Sequence, residues 1–488
     1  MHARANLALL AISLTLGCRH ALDLPQTAPP APSITVAPTL AAPAAATDVP
    51  ATVAPEGVAR VLDMIDPAQL RATVDRLAGF GTRHTLSDQA SAVRGIGAAR
   101  RWIEGQLQAA ATPRPGAPTL QVALDPHAIA ADGKRIDRAV DVVNVVATLP
   151  GTRTPQALWY VVAHYDSRAS DPMDRDADAP GANDDGSGVA LLLELARVLA
   201  PRHTDATLVF LATAGEEQGL VGARAHARAA RERGLDIRGV LSFDIVGDPT
   251  VPGGPPQREL VRVFSEGLPL GADAAELAAI RAHGGEHDAR SRQLARHVAT
   301  LARWHALAVQ PRLVFRPDRF GRGGDHTAFA EQGFAAIRFT EPGEDYDRQH
   351  QDVRREGERE FGDVAAHVDP HYLADVTRTA AAALLHLANA PSEPGLPRIE
   401  LRGLGHDTTL TWTAAPEADV AGYEVVWRET TAASWQHVQD VGTGTRVTLP
   451  LHVDDWHFGV RSYDGDGWRS PVAPCRAESP GSAAAAPR

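Results

Sequence analysis

The chain has 488 residues, more than one ordinary domain holds. Hydrophobic residues make up 44% and charged residues 22%, so there is enough apolar material for a large core. A formal charge of −12 argues against a nucleic-acid binder, which would carry a basic face; two cysteines, Cys18 and Cys475, make neither a disulfide framework nor a thiolate zinc site.

At the N-terminus, Arg4 precedes an apolar run from Leu7 to Leu16 that ends in Gly17-Cys18. The run is too short to anchor in a bilayer and suits an export signal. Leu14-Thr15-Leu16-Gly17-Cys18 resembles a bacterial lipoprotein signal, in which the cysteine is acylated. That resemblance implies a signal over 1–18, a lipid anchor at Cys18 and a place in the periplasm or outer membrane, with plain secretion as the alternative. Residues 19–55 are rich in Ala, Pro, Thr and Val and read as a disordered tether.

Residues 56–390 form the main predicted domain. Asp66 before Pro67 signals a helix over 66–80, and a second follows over 95–110. Strands are predicted at 141–149, 157–164, 206–214, 240–246, 312–315 and 335–340. Helices are predicted at 188–200, 223–233, 291–306, near Ala328 and at 370–390. Near-continuous Val, Leu and Ile strands alternating with helices predict an α/β fold, a mostly parallel mixed sheet with helices on both faces. Residues 391–397 read as a linker. Beyond them, short runs at 399–401, 408–413, 422–427, 446–449 and 457–463 predict a small all-β sandwich over 398–478. Thr411-Trp412-Thr413, Ala421-Gly422-Tyr423-Glu424-Val425 and Phe458-Gly459-Val460-Arg461-Ser462-Tyr463-Asp464 resemble three strands of a fibronectin type III domain. Contact with a surface or polymer is one role open to it. Residues 479–488 read as a disordered tail.

Five segments at the predicted strand ends carry chemistry, and strand ends are where open α/β sheets gather ligands. His164 and Asp166 stand two apart, so that Asp166 can orient an imidazole. Asp184 and Asp185 sit among small residues in Pro180-Gly181-Ala182-Asn183-Asp184-Asp185-Gly186-Ser187-Gly188, where paired carboxylates are costly without a cation. Glu216 and Glu217 follow an apolar strand; one can ligate while the other moves a proton. Asp244 lies within an apolar run and needs a partner. His350 lies in Tyr346-Asp347-Arg348-Gln349-His350-Gln351-Asp352.

Taken in order, His-x-Asp, Gly-x-x-Asp-Asp-x-Ser-Gly, Glu-Glu, Asp and His resemble the secreted bacterial di-zinc aminopeptidases, in the wider family that includes glutaminyl cyclases. Gly324-Asp325-His326-Thr327-Ala328-Phe329 and Gly333-Phe334-Ala335-Ala336 extend the match, which covers about residues 60–390. The resemblance implies two zinc ions per chain. His164, Asp184 and Asp244 would hold one, and Asp184, Glu217 and His350 the other. Glu216 would be general base and acid, acting on a bridging hydroxide, with Asp166 behind His164. It also implies a cis peptide after Asp184, leaves His326 outside the ligand set, and gives peptides as substrates, attacked at their N-termini. Arg322 stands in Phe320-Gly321-Arg322-Gly323-Gly324, where some members carry an oxyanion tyrosine. Competing readings are a one-zinc glutaminyl cyclase, against which Asp184-Asp185-Gly186 speaks, a carboxypeptidase or dipeptidase on the same centre, and a binding protein with a dead catalytic fold.

Overall fold

The computed structural model describes residues 55–113, 115–401 and 405–477. The expected signal with Cys18, the tether up to residue 54 and the tail 479–488 lie outside the described residues. After α1 (Val58–Leu62), the Asp66 carboxylate accepts the Ala68 N–H at 2.9 Å and Pro67 takes the first helical position, which starts α2 (Pro67–Ala78) where the sequence signalled it. Then come α3 (Ile96–Ala110), β1 (Gln121–Ile129), β2 (Val140–Leu149), β3 (Thr154–His164), α4 (Gly186–Leu199), β4 (Ala206–Thr213), α5 (Val221–Glu232) and β5 (Asp236–Phe243). They are followed by β6 (Leu260–Ser265), α6 (Ala274–Arg281), α7 (Arg290–Trp304), β7 (Gln310–Val314), α8 (Asp325–Ala330), β8 (Ala336–Thr340), the hairpin β9 (Arg354–Glu356) and β10 (Arg359–Phe361), and α9 (Pro370–Asn389).

One mixed sheet runs β1-β2-β4-β3-β5-β8-β6-β7. Its centre, β4-β3-β5-β8, is parallel throughout, and antiparallel pairs lie to either side. Every residue of β4 is buried, which requires helices on both faces. Leu208 and Phe210 join the larger apolar cluster on one face, whereas Val209 and Leu211 join a second cluster on the other. Trp159, Val161 and Ala163 of β3 divide from Tyr160 and Val162 in the same way, as the two-residue period of a strand dictates.

Three departures from the sequence reading matter. The strand expected at 240–246 stops at Phe243, because Ile245 takes a left-handed φ of 58°. Strand β1 was not expected; it is an edge strand whose residues are all exposed or half-buried, and it carries Pro126, a residue usual only at sheet edges. Strand β6 was also unexpected, and it extends the sheet in antiparallel pairing to β8.

From Gly395 the chain builds β11 (Gly395–Glu400), β12 (Thr408–Thr413), β13 (Val420–Glu429), β14 (His437–Asp440), β15 (Arg446–Leu449), β16 (Trp456–Asp464), β17 (Ala473–Pro474) and β18 (Arg476–Ala477). They form two four-stranded sheets, β15-β12-β11-β18 and β14-β13-β16-β17. Leu410 and Trp412 of one share a core with Tyr423, Val425, Phe458 and Val460 of the other. Pairing is antiparallel except for β11 with β18. These sheets pack on α7 and the turn before it: Arg428 contacts Asp288 in that turn at 3.0 Å, and the Trp435 indole donates to Gln293 of α7 at 3.1 Å. Among the described residues no helix is long and apolar enough to cross a membrane.

Candidate metal centre

The parallel strands β4, β3, β5 and β8 end at one edge of the sheet, and each delivers part of the site. His164 is the last residue of β3. Glu216 and Glu217 follow β4 after Gly215, whose φ of 77° turns the chain. Asp244 follows β5, Asp184 lies in the loop from β3 to α4, and His350 lies beyond β8.

The five residues expected as ligands come together. His164 Nε2 lies 3.2 Å from Asp184 Oδ1 and 3.8 Å from Asp244 Oδ1. His350 Nε2 lies 2.9 Å from Asp184 Oδ2 and 3.0 Å from Glu217 Oε1. Asp184 therefore presents one oxygen to each imidazole. Glu216 groups with His164 and Asp244, and Asp184, Glu217 and His350 form a second group; within each, the candidate ligand atoms lie within 4.8 Å of one another. His326 stays apart, with Nε2 at 2.9 Å from the Pro317 carbonyl. Arg322 is turned to Glu344 and to Gln349, at 3.1 and 3.0 Å.

A polar scaffold holds these groups. Asp166, fully buried, accepts the backbone N–H groups of Glu216 at 3.2 Å and Glu217 at 3.1 Å, and the Thr85 hydroxyl at 3.2 Å. Asp363 accepts the N–H groups of Asn183 and Asp184, the latter at 2.7 Å. Asp185 caps α4 through the Gly188 N–H at 2.9 Å. The peptide between Asp184 and Asp185 is cis. Arg83 donates to the carbonyls of Tyr165 and Gly181, at 2.7 and 2.8 Å, so one guanidinium ties the His164 loop to the Asp184 loop. His350 and Ile245, the latter beside Asp244, have positive φ of 55° and 58°, a conformation that non-glycine residues adopt where surrounding structure enforces it.

Carboxylates dominate the electrostatics. Burial pushes Glu216 well above the usual carboxylate range, and Glu217, Asp244 and Asp325 push it further against the opposing pull of His164. Burial likewise raises Asp185 well above its ordinary value and brings Asp325 and Asp363 to about 7. Burial opposes charge on His350, yet Glu217 and Asp184 lift it to about 10. Burial also opposes charge on Asp184, but hydrogen bonding to His164 and His350 holds it well below the carboxylate range. The cluster stabilises positive charge wherever it is placed.

Cation binding fits this donor set. Glu217 Oε1 is buried and has no hydrogen-bond partner among the described residues, although His350 Nε2 is 3.0 Å away. With His350 neutral, as a metal ligand must be, its Nε2 lone pair faces that of Glu217 Oε1, and a cation shared between them would satisfy both. Nitrogen and oxygen ligands about 2.0–2.2 Å from zinc stand roughly 3.3 Å apart in a tetrahedron, and the 2.9, 3.0, 3.2 and 3.8 Å separations straddle that value.

Sequence reasoning passed over Asp363, Arg83, Gln349 and Arg338. Gln349 adjoins His350 and its amide donates to Asp184 Oδ2 at 3.0 Å; adjacency to a ligand was the only signal for it. Asp363 lies past a hairpin, where nothing in the pattern points back to Asp184.

Comparison with known proteins supports the same reading of this region. Residues 144–369 match the model for peptidase family M28. A probable zinc metalloprotease of Pyricularia oryzae is 44% identical over 84% of this chain and 82% of its own. One from Leptosphaeria maculans is 42% identical over 86% of this chain and 96% of its own. Among solved structures, the Legionella pneumophila LapA aminopeptidase superposes with a TM-score of 0.47 at 17% identity, covering 68% of this chain and 74% of that one. The two sequence relatives are fungal, which overturns the expectation drawn from the N-terminal residues. Placement as a bacterial periplasmic or outer-membrane lipoprotein is not supported, and the likeness is not confined to bacterial enzymes. The shared family covers the site itself: this chain belongs to peptidase family M28.

Proposed function

We propose that the chain is a two-zinc exopeptidase that removes residues from peptide N-termini. The observation that carries this reading is Asp184, whose two oxygens each lie near a different imidazole, 3.2 Å from His164 and 2.9 Å from His350. His164, Asp184 and Asp244 would hold one zinc ion, and Asp184, Glu217 and His350 the other. Bound there, the ions would polarise a peptide carbonyl and acidify a water.

The chain's own residues do the rest. Glu216 is half-buried while Glu217 is buried, which supports giving Glu216, beside His164 and Asp244, the proton and Glu217 the ion. A carboxyl raised by burial takes a proton readily and returns it to the departing amine. Asp166 fixes both glutamates through their backbone N–H groups. The free ammonium of a peptide N-terminus complements the surplus of carboxylates, which favours attack at that end.

Product analysis tests the proposal. Mass spectrometry of an unblocked peptide should show stepwise loss of single N-terminal residues, and the N-acetylated peptide should remain intact. Loss of C-terminal residues, or N-terminal pyroglutamate from a glutamine peptide without hydrolysis, would replace this reading with a carboxypeptidase or a cyclase.

A further inference from the structure

Arg338 sits in β8 and is fully buried. In the register of β5 with β8 it pairs with Ser242, two residues before Asp244, so Arg338 and Asp244 lie on one side of the sheet. Its Nη2 stands 3.1 Å from Asp244 Oδ2. Its Nη1 donates to the Gly323 carbonyl at 2.9 Å and lies 3.4 Å from Asp318 Oδ2. A Cβ at Gly324 would come within 2.9 Å of that Nη1, so residue 324 is kept small where the guanidinium passes. Asp318 is itself held by Arg319, through the backbone N–H at 2.6 Å and Nε at 3.0 Å.

A guanidinium kept only as a fold staple would have its buried donors satisfied. Here Nε and Nη2 lack a hydrogen-bond partner of good geometry among the described residues, an arrangement costly in a buried cation. What Nη2 has is a charge contact with one oxygen of Asp244. That leaves Oδ1, the oxygen facing His164 at 3.8 Å, as the free one.

We infer that Arg338 is a positioning residue that restricts Asp244 to ligation through Oδ1 and, by its charge, weakens the cation position built on His164 and Asp244. The inference rests on the two-cation reading above. Two opposing effects follow from losing the guanidinium: Asp244 gains rotational freedom, which loosens the site, and a cation within a few ångströms of the ion is removed, which tightens it. In a buried setting the charge effect is the larger.

The test is zinc affinity, read by competition with a chromophoric chelator on the full chain, with circular dichroism as the folding control. For Arg338→Met the chelator concentration needed to strip the first zinc equivalent should rise about tenfold. For Asp318→Asn, which removes the guanidinium's other anionic partner and leaves its charge to Asp244, that concentration should fall. The second variant decides the matter if the first does not fold. Unchanged or reversed shifts, with zinc still bound by the unaltered chain, overturn the role of Arg338 alone. Failure of the unaltered chain to bind zinc overturns this inference together with the two-cation reading.

Discussion

The carboxylate of Asp166 accepts the backbone N–H of Glu217 at 3.1 Å, across 51 positions of sequence. Asp166 also accepts the Glu216 N–H and lies beside His164, with Oδ1 3.6 Å from the imidazole Nδ1. One buried side chain thus sets three residues of the centre. Asp166→Asn loses at least one of these acceptors, and changes behind a metal ligand typically cost about 10–100-fold in affinity or activity. A loss of that size in kcat/KM or zinc affinity is expected; a variant within twofold of the parent on both would contradict the assignment.

Glu216 is expected to act on protons and not to be needed for binding the cations. Glu216→Gln should retain zinc at the parent's stoichiometry while kcat falls by about 10²–10⁴, the range for a lost general base. Elemental analysis beside steady-state kinetics checks this. Loss of zinc in the variant would make Glu216 a ligand.

Gly188 positions the loop that carries Asp184. A Cβ there would lie 2.3 Å from the Phe243 carbonyl and 2.4 Å from Asp185 Oδ2. Gly188→Ala should therefore push the start of α4 away from β5 and separate Asp184 from Asp244. A large loss of zinc affinity and a lower Tm are expected; retention of both would show that the helix shifts without cost.

His297 of α7 gives the fold a pH dependence away from the centre. It is buried, its Nε2 has no hydrogen-bond partner among the described residues, and burial, aided by Arg461, lowers it to about 3. The unfolded chain takes up that proton below about pH 6.5 while the folded chain stays neutral until about pH 3. Stability is therefore lost as pH falls through that window, by roughly 2 kcal/mol at pH 5 from this group. In His297→Gln, denaturant unfolding at pH 5 and pH 7.5 should differ by less than in the parent. An unchanged difference would mean that His297 is protonated in the fold.

Much of the clustering was legible because the five candidate ligands occupy recognisable places: strand ends, a glycine-rich helix entry, paired glutamates. Apolar runs such as Ala206–Thr213 announced the central strands, since burial on both faces leaves no polar alternation. What supports these candidate ligands was not legible. Asp363, Gln349 and Arg83 act through contacts that fold geometry alone creates, and nothing in the strand that carries Arg338 points to Asp244. The end of β5 was placed too late because an apolar run continues through Val246 although the backbone turns at Ile245. The N-terminal residues suggested a cell type that the fungal relatives contradict, since a short apolar run before a cysteine carries little information.

Zinc content of the purified chain against its Asp184→Asn variant tests the shared carboxylate most directly. Two equivalents in the parent should fall to one or fewer in the variant, with N-terminal residue release lost alongside. Equal zinc content and equal activity in the two proteins would show that Asp184 joins nothing, and the centre described here would not be the site of hydrolysis.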